Sequence, residues 1–382
     1  MKTIKKYIVP AICFIVGMAS CNDSFLDREP THDLNDVNYW KTANDLKVYI
    51  NGIYNDAARQ NYNSTNRVGG NWFFTGNSDG FNSSYRSAIF METSSDNVAS
   101  LAASHNEFEK KSAGIDVVPD TPTDGGWYWH FLRRCNVFLA NYDRADIAQG
   151  LKNNYAGEVY FFRAWFYLDK VQNYGNVPLI TTPLDIDSPE LYEKQTNRKE
   201  VMELVLQDIN KAVDYLPQSW TADHPNRVNK WTALALKSRI CLYEGTYRKY
   251  HGLGDYENFL DEAISAASEL MEKGPYKVFN TGKPASDYRT LFTSLDLTTN
   301  SEVIMPRVYA PGTSTATHRM SGYIRAYQFG PTKDLVDDYR CIDADGTAKP
   351  VALSSVFKDD HIEHVFDDQN PRLSQTILDL RH

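Results

Sequence analysis

The stretch LKNNYAGEVYFFRAWFYLDKVQN, residues 151–173, most narrows what this chain can fold into. Its aromatic and aliphatic side chains exceed one stripe at a 3.6-residue period. A helix here is apolar over much of its circumference and must be enclosed by other elements. Suitable partners flank it. Residues 42–58, TANDLKVYINGIYNDAA, put Leu46, Tyr49, Ile50, Ile53, Tyr54 and Ala57 on one helical face behind Thr42 as N-cap. Residues 127–143 read as a further helix. Asn197 caps another, with Val201, Leu204, Val205, Ile209, Ala212 and Val213 on one face, Glu200 at the capping-box position and Pro217 closing it. Two more are predicted over 229–247 and 256–273, the last ended by Gly274-Pro275 as C-cap glycine and breaker. The fold class is therefore mainly α. Helices of similar length with small residues such as Ala156, Ala233 and Ala263 leave two arrangements open, stacked helical hairpins and a non-repeating bundle.

Two regions break this texture. Residues 61–126 are rich in Gly, Asn, Ser and Thr with aromatics interspersed, and a long irregular segment in a folded domain is usually functional or disordered. After Gly282, SEVIMPRVYA (301–310) alternates like a strand, 311–322 reads as a loop, and PTKDLVDDY as a short helix behind Pro331.

The amino terminus is read separately. MKTIKK is followed by an uncharged apolar run and then by small residues, the pattern of a secretory signal over 1–20. The run is too short to span a bilayer, which takes about 20 residues. Met18-Ala19-Ser20-Cys21 resembles the lipobox of bacterial lipoproteins, with Cys21 as the acylated residue. The chain carries 40 basic and 49 acidic residues, a formal charge of −9, which becomes −12 once the three leader lysines Lys2, Lys5 and Lys6 are removed. A polyanion such as nucleic acid is an unsuitable partner. Beyond Cys13 and Cys21, only Cys135, Cys241 and Cys341 remain, without a CxxC, which suits buried thiols or at most one disulfide.

Catalytic motifs are absent: no GxSxG elbow, no P-loop and no HExxH. HGLGDYEN has Glu257 where a dinucleotide fingerprint needs glycine, so it reads as a loop, and no cofactor is expected. Asp343-Ala-Asp345-Gly346 begins like a calcium loop but lacks the distal glutamate, so a turn is expected. His361 and His364 lack a third ligand at metal spacing. The positive signal lies in the irregular segments. Trp72, Phe73, Phe74 and Tyr85 stand among Asn71, Asp79 and Arg86, while Tyr309, Arg319 and Tyr323 flank the later loop. Sugar C–H faces stack on aromatic planes, and Asn, Asp and Arg supply directional hydrogen bonds to hydroxyls. The alternative is that these rings pin a loop to the helical core.

CNDSFLDREPT, YWKTANDLKVYINGIYN, GEVYFFRAWFYLDKVQNYGNVPLIT, NKWTALALKSRICLYEGTY and NPRLSQTI together resemble the SusD/RagB family of Bacteroidetes outer-membrane lipoproteins. The resemblance implies TPR-like stacked helical hairpins with an irregular lobe, a SusD-like N-terminal region over 21–225 with a loop insertion at 61–126, and a RagB/SusD region over 226–382. It implies a non-catalytic protein lipidated at Cys21 on the outer membrane, facing the exterior. Such a protein captures glycans and passes them to a partner TonB-dependent transporter of the SusC type, although some members bind peptides and a protein-interaction scaffold is the other reading. From the resemblance only the location of the site carries over, the loop after the first helix and the segment after SEVIMP. Within these, Asn71, Trp72, Asp79, Tyr85, Arg86, Tyr309, Arg319 and Tyr323 are the candidate ligand residues, with no metal site. Family members usually continue well past the PRL motif, so the chain reads as truncated.

Overall fold

The computed structural model describes residues 39–58, 92, 95–100, 113–115, 117, 127, 129–221, 226–306 and 328–377. Its helices are α1 (Ala43–Ala58), α2 (His130–Asn141), α3 (Gln149–Tyr174), α4 (Arg198–Tyr215), α5 (Lys230–Tyr250), α6 (Tyr256–Lys273), and the short α7 (Asp287–Thr293), α8 (Lys333–Asp337) and α9 (Arg372–Thr376). The strands are β1 (Val98–Ser100), β2 (Phe329–Pro331), β3 (Cys341–Ile342) and β4 (Ala348–Lys349).

The apolar stretch forms α3, which is enclosed as expected. Tyr155, Ala156, Gly157, Glu158 and Val159 are buried in succession, more than a full turn of 3.6 residues, so protein surrounds the helix on every side there. Its aromatic side chains Tyr155, Phe161, Phe162, Phe166 and Tyr167 are almost wholly inaccessible. Burying each stabilises the fold by about 1.5–3 kcal/mol before the entropy of ordering the chain is subtracted. On one flank α3 meets α1 and α2; on the other it packs along α4, α4 packs on α5, and α5 on α6. Of the two arrangements open from periodicity, this chain-ordered stacking is the helical-hairpin one.

Capping residues set where the helices begin. Thr42 Oγ1 accepts a hydrogen bond from the Asp45 amide at 3.2 Å while Asp45 Oδ2 accepts one from the Thr42 amide at 2.7 Å, a reciprocal capping box. Asn197 accepts from the Lys199 amide and Asn229 from the Thr232 amide. Gly274 differs from expectation: it ends α6 at φ −71°, not in the left-handed region. Glycine is needed there because a Cβ would lie 2.4 Å from the Leu270 carbonyl oxygen.

Two further expectations are corrected. Residues 301–306 of the predicted strand form turns and bends, because they are held by a neighbouring loop and not by a ladder. Ser301 O accepts from the Lys277 amide at 2.9 Å and Glu302 Oε2 from the Phe279 amide at 2.7 Å. In turn, the region read as irregular contains a strand, β1, paired antiparallel with β2 in the register Val98–Pro331, Ala99–Gly330 and Ser100–Phe329. Cys135, Cys241 and Cys341 are buried thiols not joined in disulfides, in keeping with the thiol reading.

Buried ion pairs tie the stack together. Arg163 on α3 grips Asp208 on α4 through Nε and Nη2 at 2.7 and 2.9 Å. Arg198 at the start of α4 and Arg248 on α5 both engage Glu244, and the Arg198 guanidinium lies 3.6 Å from the Tyr247 ring centroid. Such pairs add little net stability against an apolar replacement, but a wrong register would strand a buried charge, so they favour one alignment of the helices.

Candidate functional site

Every residue singled out from sequence, Cys21, Asn71, Trp72, Asp79, Tyr85, Arg86, Tyr309, Arg319 and Tyr323, lies outside the described residues. What the structure describes is the ground on which the two nominated segments stand. The first leaves α1 and returns to the described chain at β1; the second follows residue 306 and ends at β2. These strands pair with each other across 233 residues of sequence, as Val98 opposite Pro331. Beyond the ladder, Asn97 O accepts from the Thr332 amide at 3.0 Å and Asp96 O accepts from the Thr332 hydroxyl. Asn97 Nδ2 donates to Glu92 Oε1 at 2.8 Å, which extends the junction into the first segment. Because the pairing is antiparallel, residues 97 and 328 sit at opposite ends of the ribbon, about 13 Å apart along it at roughly 3.3 Å per residue. The two aromatic-rich segments thus attach to one short ribbon.

The buried titratable groups Glu158 and Cys241 serve the fold. Glu158 is strongly perturbed: burial pushes it up to about 7, against the opposing pull of Arg227 and Tyr54. Arg227 reaches it through Nε and Nη2 at 2.9 and 3.0 Å, and the Tyr54 hydroxyl donates to it at 2.5 Å. Both oxygens are occupied and the side chain is wholly inaccessible, so Glu158 fastens α1, α3 and the turn before α5 and is not presented to a substrate. The Cys241 thiol is pushed up to about 12 by burial, which keeps it protonated and unreactive.

Neither metal suspicion gains support. Asp343 and Asp345 share the Lys349 ammonium, which stands where a cation would, and Asp343 also accepts from the Ser355 amide at 2.8 Å and its hydroxyl at 2.7 Å. This is the expected turn, closing the β3–β4 hairpin. His361 and His364 meet edge to face at 5.5 Å, and His364 Nδ1 lies 2.7 Å from Asp360. Among the described residues no three His, Cys, Asp or Glu side chains gather as a metal site, and no helix is long and apolar enough to cross a membrane.

A family profile described as SusD-like, "starch-binding associating with outer membrane", matches residues 24–242, more than half of the chain. The chain belongs to this SusD-like family. Its members are carbohydrate-binding proteins, not catalysts. A SusD-like protein of Formosa agariphila is 23% identical over 248 residues, covering 64% of this chain and 44% of that protein, and another covers 76% and 51%. This SusD-like chain spans about half the length of the curated relatives it matches. Among solved structures, a SusD-like protein from Bacteroides fragilis superimposes with a TM-score of 0.64 at 23% identity, covering 91% of this chain and 62% of its own. A laminarin-binding SusD-like protein superimposes at 0.50 with 19% identity, covering 70% and 51%. The likenesses establish the mainly helical, TPR-like fold.

Proposed function

We propose that this SusD-like chain is a surface lipoprotein of the outer membrane that binds glycans and delivers them to a SusC-like TonB-dependent transporter. Residues 1–20 would be its leader and Cys21 its lipid attachment point. The observation that carries the binding reading is the β1–β2 ribbon. It gives a common root to two segments whose aromatic and amide or guanidinium side chains match the needs of sugar recognition. Asn71, Trp72, Asp79, Tyr85 and Arg86 would approach the ligand from the first segment, and Tyr309, Arg319 and Tyr323 from the second. Family membership and a laminarin-binding relative of the same fold support carbohydrate as the ligand class.

Affinity electrophoresis against a polysaccharide panel tests the binding step. The whole chain is expected to be retarded by at least one polysaccharide, and Trp72→Ala to lose that retardation with an unchanged far-ultraviolet circular dichroism spectrum. Undiminished retardation would remove the first segment from the site. A chain that is retarded by no polysaccharide yet co-purifies with the transporter would favour a protein-interaction scaffold. For the anchor, Cys21→Ala should abolish labelling by radioactive palmitate, and persistent labelling would overturn the assignment.

A further inference from the structure

Among the described residues a cleft is walled by α7, the end of α8 and the turn that leads into α9. It is an open groove of about 340 Å³, at the small end of ligand pockets, where a mono- or disaccharide fits. Tyr288 and Tyr339 supply its aromatic surface, Asp338 and Asn370 its neutral and acidic polar groups, and Arg340 and Arg372 its charge.

The charge is informative. In a chain with a formal charge of −9, two lysines of this part of the chain are neutralised: Lys333 pairs with Asp337, and Lys349 with Asp343 and Asp345. Arg340 and Arg372 have no carboxylate partner among the described residues. Arg372 Nε contacts only the neutral Asn370 Oδ1 at 3.3 Å, and its guanidinium lies 5.9 Å from the Tyr288 ring centroid. That contact leaves part of a planar donor fork for an outside acceptor.

The walls are braced, so the geometry stands without a ligand. The Tyr339 hydroxyl donates to Thr376 Oγ1 at 3.2 Å, and Asn370 N donates to Arg340 O at 2.9 Å. Gln375 bridges the other wall, accepting from the Arg289 amide at 3.1 Å and donating to Pro284 O at 3.0 Å. Below them Leu373 is fully buried and anchors α9. Tyr288 also packs on Phe292, 4.9 Å between centroids, and Phe292 is 68% exposed, which continues the aromatic surface to the rim.

We propose that this cleft binds a carboxylate-bearing sugar ring, so that the protein's glycan is acidic, of the uronate type. A planar carboxylate matches guanidinium donors in the two-point geometry that a lone hydroxyl does not. The tyrosine faces take the C–H side of the ring, and Asp338 and Asn370 take its hydroxyls. The proposal rests on the glycan-binding reading above, and it adds a second contact region to it.

Calorimetry on the whole chain compares oligogalacturonate, neutral laminari-oligosaccharide and a sulfated carrageenan oligosaccharide. Oligogalacturonate should bind most tightly, weaken as salt rises, and lose about tenfold or more in affinity in R340Q/R372Q, since hydrogen bonds to charged groups are each worth about that factor. R340K/R372K, which keeps the charge but not the fork, should fall between. Both arginines are exposed, and circular dichroism verifies the fold. Unchanged oligogalacturonate affinity in R340Q/R372Q would overturn the proposal. A chain that binds only the neutral oligosaccharide would overturn it too while leaving the glycan reading intact, and preference for the sulfated ligand would overturn the carboxylate assignment. Binding of none would remove both.

Discussion

Gly157 offers a test of how closely the helices stack, because two known effects oppose each other there. In an exposed helix interior, Gly→Ala stabilises by about 1 kcal/mol through the unfolded chain's lost freedom. At position 157 the added Cβ would meet Leu216 Cγ at 2.9 Å, Tyr215 Cβ at 3.0 Å and Leu216 N at 3.1 Å, whereas carbon atoms rest at about 3.5–4.0 Å. Overpacking of this kind costs about 1–3 kcal/mol. Two of the three neighbours are a Cβ and a backbone atom, which no rotamer change can move, and Leu216 is only 4% exposed. The upper part of that range therefore applies, and Gly157→Ala should lose about 1–2 kcal/mol net. Gly150, in the same helix, would place its Cβ within 4 Å of nothing, so Gly150→Ala should be neutral or stabilising by up to about 1 kcal/mol. Urea unfolding followed by circular dichroism, with slopes checked for equality, measures both. In a Leu216→Ala background, itself costly, Gly157→Ala should destabilise less, since the nearest contact is gone while those to Tyr215 Cβ and the Leu216 nitrogen remain. If Gly157→Ala proved as stable as Gly150→Ala, α3 and α4 would not approach as described.

Two other outcomes follow from the electrostatics. Glu158 is held at about 7, above the ordinary 4.5, so the folded protein keeps a proton that the unfolded chain releases. Its stabilising contribution is then complete below about 4.5 and declines as pH rises through 7, a slope that Glu158→Gln should abolish; parallel wild-type and variant profiles would contradict this. Asp345 is held at about 2, chiefly by Lys349, so its contribution is present above the ordinary 3.8 and lost as pH falls toward 2. At neutral pH Lys349→Gln should loosen the hairpin and speed maleimide labelling of the buried Cys341, with Cys135 and Cys241 still protected; an unaltered rate would mean that Lys349 does not hold the turn.

The helices were legible because their signals are local. The apolar surface of 151–173 demanded enclosure, and Thr42, Asn197 and Asn229 marked helix starts through side chains that reach only two or three residues along the chain. Contacts between distant segments left no such mark. Arg227 is 69 residues from Glu158, and nothing in either neighbourhood announces the pair. The alternation in SEVIMP imitates a strand, yet its partner is a loop whose Lys277 and Phe279 amides donate to the Ser301 carbonyl and the Glu302 carboxylate. β1 is too short to rise above the polar texture around it, and only its pairing with β2 reveals it. The cleft was hidden for the same reason: Tyr288, Arg340 and Arg372 come from three separate turns of the chain. One signal was available, since neither Gln375 nor Thr376, three and four positions after Arg372, is acidic.

The central claim is that two sequence-distant aromatic segments, rooted on one ribbon, form a single glycan site. A double-mutant cycle of Trp72→Ala and Tyr323→Ala, read by calorimetry against the polysaccharide that retards the whole chain, tests it most directly. If both side chains act on one bound glycan, each single variant should weaken binding. The double variant should then fall short of their sum by about 0.5 kcal/mol or more. Strictly additive losses, or no loss from either substitution, would contradict the account.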